Sequence, residues 1–391
     1  MSDLSKLLHG AAGGVSFLDR LELRPEERTE LETGREAVRR ALVTAFAREA
    51  RDRLGHVVSP RFFVQGSFAY KTLNQPAYPP QQQKDLDYGL YLPLTFIKEA
   101  TPAQAAKVYF GFVDEVLETL CKQQGWAFDT RPTCARLTLA SDAHVDVPMY
   151  AIPDVQFATL AKSALARAAM NDQVAFAEDS AIDFMNTRRA RLDNWDALPS
   201  EEVLLAHRED DWKVSDPRKI HEWFLSAVDR YGEQLRRVSR YLKAWRDQQG
   251  TRAAGLSSIC LMVCAFEAYR ILKGSVEARD DRALLQVARM LPQLLAGPIE
   301  NPTDPAEKLC ARMGSEDRRV AIALAQKLIA DLEAALSATQ PQAAIAFLRQ
   351  SLGPRIPDRH ELVRLEGAVA TVRREPARVV AAPVVGRSIS G

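Results

Sequence analysis

Residues Arg61–Leu94, RFFVQGSFAYKTLNQPAYPPQQQKDLDYGLYLPL, run from a β-like segment (61–65) through a Gly-Ser turn and a Pro- and Gln-rich loop into an Asp-x-Asp segment. On a β-strand residues i and i+2 share a face, so Asp85 and Asp87 present two carboxylates side by side. Tyr88, Leu90, Tyr91 and Leu92 make that strand apolar enough to enter a sheet. Gly66, with no Cβ in the way, lets backbone N–H groups approach and cradle a phosphate next to Ser67. A third carboxylate follows at Asp146 in AHVDVPMYAIP. With Lys84 the only basic neighbour of the pair, these carboxylates suit Mg²⁺, which takes oxygen ligands together with substrate phosphates. A Gly-Ser turn or an Asp-x-Asp pair is common alone, but their conjunction in this order reads as a two-metal nucleotidyl-transfer site. His144 lies two residues before Asp146 on the same strand face. Because Mg²⁺ prefers oxygen, it is read as a structural or supporting group rather than a ligand.

Composition agrees with that reading without deciding it. At 391 residues, 47% of them hydrophobic, the chain can hold two domains and a sizeable core. Lys and Arg number 52 against 51 Asp and Glu, so no global basic field points to DNA or RNA. The five cysteines (Cys121, Cys134, Cys260, Cys264 and Cys310) form no C-x-x-C pair and no cluster with histidine. That argues against zinc and against a disulfide framework, and favours a reducing cytoplasm. Cys260 and Cys264, four apart in an apolar run, read as core. No run approaches the ~18 apolar residues of a membrane span, and no secretory signal opens the chain.

The rest of the chain can be divided coarsely. Residues 1–23 read as a loose N-terminal segment. Pro25, Glu26 and Glu27 open a helix that continues to Leu54 with Leu31, Val38, Leu42 and Phe46 inward, and Gly55 is its natural C-terminal cap. Ala105, Val108, Phe112, Val116 and Leu120 mark a second helix over 102–124. Two short strands, 135–140 and 143–149, flank a polar turn at Ser141-Asp142, a hairpin that would carry Asp146 to the Asp85/Asp87 strand. From about residue 161 onward the pattern is mostly helical, with long periodic segments at 217–248, 256–274, 315–337 and 341–352. The domains expected are a core over 24–215 that includes the long first helix, a helical domain over 216–373 and a flexible tail over 374–391.

The segments QGSFAYKTLNQP (65–76), DLDYGLYLPL (85–94), HVDVPMYAIP (144–153), SDPRKIHEWF (215–224), YLKAWRD (241–247) and GLSSICLM (255–262) together resemble the cGAS/DncV-like nucleotidyltransferases, bacterial synthases of cyclic di- and trinucleotides. The likeness is to the cyclic GMP–AMP synthases of antiphage (CBASS) operons, whose longer loop between Gly-Ser and Asp-x-Asp matches residues 74–84. The resemblance implies an α+β fold: a polymerase-β-like core with a small mixed sheet, followed by an oligoadenylate-synthase-like helical domain, with the cleft between them. It implies that Asp85 and Asp87 hold one Mg²⁺ on a triphosphate and that Asp146 joins them to hold a second, with Mn²⁺ a possible substitute. A 3′-hydroxyl would then attack the α-phosphorus in line and release pyrophosphate, and a second round would close the ring.

The same resemblance assigns further residues. Gln65, Gly66 and Ser67 would lie at the donor phosphates, Lys243 would reach those phosphates, and Ser257 and Ser258 would lie near them. Tyr70 would stack on a base, Arg136 would reach an acceptor phosphate or base, and Asp304 would read a base edge. The products implied come from ATP and GTP, 3′3′-cyclic GMP–AMP first, with no DNA requirement and no membrane. A phospholipase or nuclease effector would respond to the product. The ending Gly386-Arg387-Ser388-Ile389-Ser390-Gly391 resembles the substrates of E1/E2-like enzymes, which would conjugate the chain through Gly391. A linear or tailing nucleotidyltransferase, or an inactive nucleotide-binding module, are the alternative readings. The near-neutral charge counts against the first and the complete acidic set against the second.

Overall fold

The protein is seen in a computed structural model that describes residues 2–55, 57–93, 102–140, 142–152, 157, 203–209, 212–253, 255–311 and 313–365. The N-terminal residues, expected to be loose, are built into the fold. Strand β1 (Ser2–Asp3) leads into the helices Ser5–Leu8 and Phe17–Leu21, which bury Leu4, Leu7, Leu8, Phe17 and Leu21 completely. The backbone N–H of Leu4 donates to Asp281 Oδ2 at 2.7 Å, and Ser16 and Asp19 close a capping box on the second helix. Burial of these large apolar side chains, at ~1.5–3 kcal/mol each, offsets a substantial part of the cost of ordering the segment. The sequence misled because these leucines are interrupted by Gly10, Gly13 and Gly14, which hide the periodicity.

The helix Pro25–Leu54 follows, with Pro at its first turn and Gly55 at φ 79° as a left-handed cap. Strand β2 (Arg61–Gln65), the single turn Gly66–Ala69 and strand β3 (Lys84–Pro93) come next, then the helix Pro102–Gln124 and strands β4 (Ala127–Thr130), β5 (Cys134–Ala140) and β6 (Ala143–Ile152). They pair in the order β2-β3-β6-β5-β4. The pair β3–β6 is parallel and the other three are antiparallel, which makes the sheet mixed. The crossover from β3 to β6 runs through the helix Pro102–Gln124 and the β4–β5 hairpin. It places the two acidic strands side by side in the centre, where every residue of β6 is buried. Two short strands, β7 (Leu204–Leu205) and β8 (Lys213–Val214), extend the sheet beside the end of β6. The helical pattern read from residue 161 lies, up to residue 202, outside the described residues, as does the tail 374–391 with Gly391.

The C-terminal half is helical, as expected, with three differences. The 217–248 stretch is two helices, Pro217–Tyr231 and Glu233–Gln248, parted by Gly232 at φ 85°. A further helix, Asp280–Ala296, and a hairpin of β9 (Glu300–Asn301) and β10 (Asp304–Lys308) were not anticipated. Helices Ser258–Leu272, Ser315–Ser337 and Pro341–Leu352 complete the half, and β11 (Arg364–Leu365) returns to pair with β1. One continuous buried set of apolar side chains runs from Leu4 to Val363 and joins sheet and helices.

The loop after the Gly-Ser turn is clamped onto the helix Glu233–Gln248. Arg236 donates to Tyr70 O at 3.1 Å and Arg240 Nε to Asn74 Oδ1 at 2.9 Å. Asn74 donates back to Arg240 O at 2.9 Å, and Arg355 spans Gln75 O and Ala244 O. The phosphate-cradle turn is therefore tied to the helical half rather than left on a free loop.

Candidate active site

The register of the central strands builds the site. Asp85 lies opposite His144 and Asp87 opposite Asp146 on the parallel β3–β6 pair. On the far side of β6, Thr138 faces His144 and Arg136 faces Asp146, while Gln65 of β2 faces Asp87. Alternation puts Lys84 and Leu86 on the opposite face of β3. There the Lys84 ammonium is buried against Glu27 (3.0 Å) and Asp142 (2.8 Å), so the one basic residue next to the acidic pair in sequence does not neutralise it.

Three carboxylates on one face are electrostatically crowded. Burial, then the charges of Asp85 and Asp146, push the Asp87 carboxyl well above the usual range; Arg136 opposes them. Arg136 forks onto Asp146, Nε to Oδ1 at 2.7 Å and an Nη to Oδ2 at 2.6 Å. That contact raises its own already high pKa. Asp85 Oδ1 is buried without a hydrogen-bond partner. A surplus of buried negative charge with an orphaned carboxylate oxygen is the electrostatic counterpart of a cation site, and the residues present fit a divalent ion. Asp85, His144 and Asp146 each bring a ligand atom within 4.8 Å of the others.

Gly66 is required twice over. Its φ is +67°, and a Cβ built on it would sit 1.9 Å from Asp87 Oδ2. The turn therefore lies directly against the carboxylate, with its backbone facing the acidic grid. Gln65 is fixed behind it: Nε2 donates to the Tyr150 hydroxyl at 2.9 Å, and the Tyr91 hydroxyl donates to Oε1 at 3.3 Å. Gly89, whose Cβ would meet Gln65 Oε1, Tyr91 and Tyr150, leaves room for the Tyr91–Tyr150 stack at 4.7 Å.

The remaining residues singled out from sequence fall in varied places. Lys243 is 4% exposed and its Nζ donates to Thr72 O at 2.5 Å. Burial first, then Arg246, lowers its pKa to about 7, with Asp247 opposing. Ser257 is the N-cap of the helix Ser258–Leu272, its side chain accepting from Cys260 N at 3.1 Å. Ser258 is the first helical residue, and its Oγ accepts from Arg246 at 3.0 Å. Tyr70 is 5% exposed and packs against His221 and Phe224, which is a core position rather than an open face. Asp304 sits on the β9–β10 hairpin opposite Asn301. His144 was set aside as a ligand in the sequence reading, yet it stands inside the acidic cluster; its two-residue spacing from Asp146 on one strand was the available signal.

Comparison with known proteins follows the same lines. Residues 60–150 match the family described as the nucleotidyltransferase domain of DncV-like cyclic GMP–AMP synthase, and residues 232–365 match the cyclic GMP–AMP synthase C-terminal domain. A cyclic GMP–AMP synthase from Vibrio cholerae serotype O1 is 33% identical over 345 residues, covering 84% of this chain and 74% of the relative. One from Escherichia coli is 35% identical over 291 residues, covering 73% of this chain, and the match spans only 62% of that relative. Among solved structures, Vibrio cholerae DncV cyclic AMP–GMP synthase in complex with the linear intermediate 5′ pppA(3′,5′)pG superposes with a TM-score of 0.73 at 26% identity, covering 94% of this chain and 99% of that one. A mutant of the Vibrio cholerae di-nucleotide cyclase gives 0.74 at 25% identity with the same coverage. The polymerase-β-like core, the helical half and both family matches converge, and the chain belongs to the DncV-like cyclic GMP–AMP synthase family.

Proposed function

We propose that the protein joins ATP and GTP into a cyclic dinucleotide, 3′3′-cyclic GMP–AMP, by metal-dependent nucleotidyl transfer. The observation that supports it most is the acidic grid of Asp85, Asp87 and Asp146 packed directly behind the positive-φ Gly66 turn. Bound Mg²⁺ ions would neutralise the triphosphate and lower the pKa of the attacking 3′-hydroxyl. Asp85, Asp87 and Asp146 would hold them, and Gly66 and Ser67 would present backbone N–H groups to the donor phosphates. Lys243, near neutrality in the free protein, would take up a proton as it meets a phosphate. Arg136 would exchange Asp146 for an acceptor phosphate once cations compensate that carboxylate. Ser257 and Ser258 flank the donor phosphates in this reading, Asp304 faces a base, and Gln65 holds the turn.

The transferase core would occupy residues 24–215 and the helical domain 216–373, with residues 2–21 packed onto the latter. A downstream effector would read the product inside the cytoplasm, where the buried free cysteines suit a reducing environment. Among the described residues no helix is long and apolar enough to cross a membrane.

Incubation with all four NTPs and Mg²⁺, without nucleic acid, tests the proposal by mass spectrometry. A cyclic GMP–AMP mass that is absent from the Asp85→Asn/Asp87→Asn protein is expected. Linear chains would point instead to a tailing enzyme, and no product with intact nucleotide binding would point to a binding module.

A further inference from the structure

We propose that His144 is a metal ligand through Nε2, so that one cation position is a mixed nitrogen–oxygen site formed with Asp85 and Asp146. The inference rests on the metal-dependent reading above and goes beyond it, because the three aspartates alone make an all-oxygen set. His144 is 5% exposed and lies in register with Asp85 on the face that carries the acidic grid.

The hydrogen bonding of the ring fixes which nitrogen is available. Nδ1 is 2.9 Å from Gln83 Oε1, an amide oxygen that accepts from Nδ1–H, and in the neutral ring with that tautomer Nε2 presents a lone pair. That lone pair faces Asp85 Oδ1 at 3.1 Å and Asp146 Oδ1 at 4.0 Å. Nε2 and Asp85 Oδ1 are both buried without a hydrogen-bond partner despite that approach. A buried ring nitrogen and a buried carboxylate oxygen facing each other call for a proton or a cation between them, and a metal ion serves both at once.

The spacing is compatible with shared coordination, since the three ligand atoms lie within 4.8 Å of one another. With donor–metal distances of about 2.1–2.2 Å, neighbouring ligands of an octahedron lie about 3.0–3.1 Å apart and opposite ones about 4.3 Å apart. The 3.1 Å separation matches neighbouring ligands, and the 4.0 Å separation falls a few tenths of an ångström short of opposite ones. Arg136 Nε takes one lone pair of Asp146 Oδ1 and leaves the other. Gln83 completes the arrangement, since a ligating histidine usually donates its second ring N–H to an acceptor outside the coordination sphere. Imidazole favours transition-metal divalent ions over Mg²⁺, so this position selects Mn²⁺ or a later ion of that series.

The test uses the full chain loaded with Mn²⁺ and read by pulsed EPR for directly bonded nitrogen. Wild-type protein grown with [¹⁵N]histidine is expected to replace the ¹⁴N modulation with the ¹⁵N pattern, and His144→Asn and His144→Gln to abolish it. Calorimetric Mn²⁺ binding should weaken about tenfold or more in these variants, with Mg²⁺ binding changed much less. Bound Mn²⁺ with no nitrogen coupling, or coupling that survives both substitutions, overturns the role of His144 and leaves the transferase reading intact. Failure of wild-type protein to bind Mn²⁺ at all overturns both. The isotope comparison needs no variant, so poor folding of either substitution does not protect the proposal.

Discussion

Replacing Lys243 by methionine should make the free protein more stable and a poorer binder of nucleotide. The fold holds this lysine buried, and burial together with Arg246 lowers its pKa from 10.5 to about 7. Between those values the unfolded chain binds more protons than the folded one, so the group's penalty is largest at and below pH 7 and fades as pH rises toward 10.5. At about 1.4 kcal/mol per tenfold in proton affinity, the penalty at pH 7 is about 4 kcal/mol. Methionine has nearly the same length and removes the donor from Thr72 O, together with a longer 3.4 Å contact to the Thr72 hydroxyl, which costs about 1 kcal/mol.

The net gain is about 3 kcal/mol at pH 7, a rise of roughly 3–6 °C in Tm for a chain of this size. Differential scanning calorimetry of both proteins from pH 7 to 10 reads it, and the difference should shrink steadily across that window. The same variant should lose most of the thermal shift that ATP or GTP gives the wild type. Wild-type calorimetric binding near pH 7.5 should show proton uptake through its dependence on buffer ionisation enthalpy. A variant less stable than wild type at pH 7, or a stability difference independent of pH, would refute the reasoning.

Gly66→Ala should cost ~1–2 kcal/mol of stability for a side chain at positive φ, and its Cβ would displace the Asp87 carboxylate. A carboxylate moved by an ångström lowers product formation about a hundredfold or more, measured by steady-state turnover. Asp87→Asn removes the most crowded carboxyl, so it should raise the Tm of the metal-free protein while abolishing metal-induced stabilisation; a lower Tm would count against the crowding argument. Burial raises the Glu27 pKa, but donors on Arg24, Lys84 and Gln75 outweigh it and bring the carboxyl down to about 2. Its stabilisation is therefore complete above about pH 4.5 and lost as pH falls toward 2, and Glu27→Gln should cost about 2–3 kcal/mol at pH 7 and flatten the acid limb of urea midpoints measured against pH.

How much of this was legible in the sequence depended on whether a feature was local. The helices Pro25–Leu54 and Pro102–Gln124 and the acidic strand carry their own signals: a proline start, a glycine stop, i/i+4 apolar positions, and carboxylates two apart. Gly66 was legible as a close-approach glycine because only the residue type was needed to say so. What the glycine approaches, Asp87 itself, needed the β2–β3 register. Non-local features escaped. The N-terminal segment read as loose because the elements that bury it, the helices Glu233–Gln248 and Asp280–Ala296 for its helices and β11 for β1, all lie in the distant C-terminal half. The burial of Lys243 left no trace in the sequence because its wall is the loop at Thr72, supplied by the other half of the chain.

His144 shows why the chemistry of a site is the last thing a sequence yields. Its spacing from Asp146 placed it on the right face, and the preference of Mg²⁺ for oxygen then argued it out of the site. That argument assumed the metal and inferred the ligands. The structure supplies the reverse order: a parallel register sets His144 beside Asp85, Gln83 Oε1 lies 2.9 Å from Nδ1, and Nε2 faces into the acidic grid. Ligands known first then constrain the metal, and a nitrogen donor among the carboxylates shifts the expected ion from Mg²⁺ toward the transition series. If Mn²⁺ supports faster turnover than Mg²⁺ in the wild type, and that advantage disappears in His144→Gln while Mg²⁺-supported turnover changes less, the donor set controls which ion drives the reaction. Equal loss with both ions would instead make His144 a support for Asp85, acting through the ring's position rather than its lone pair.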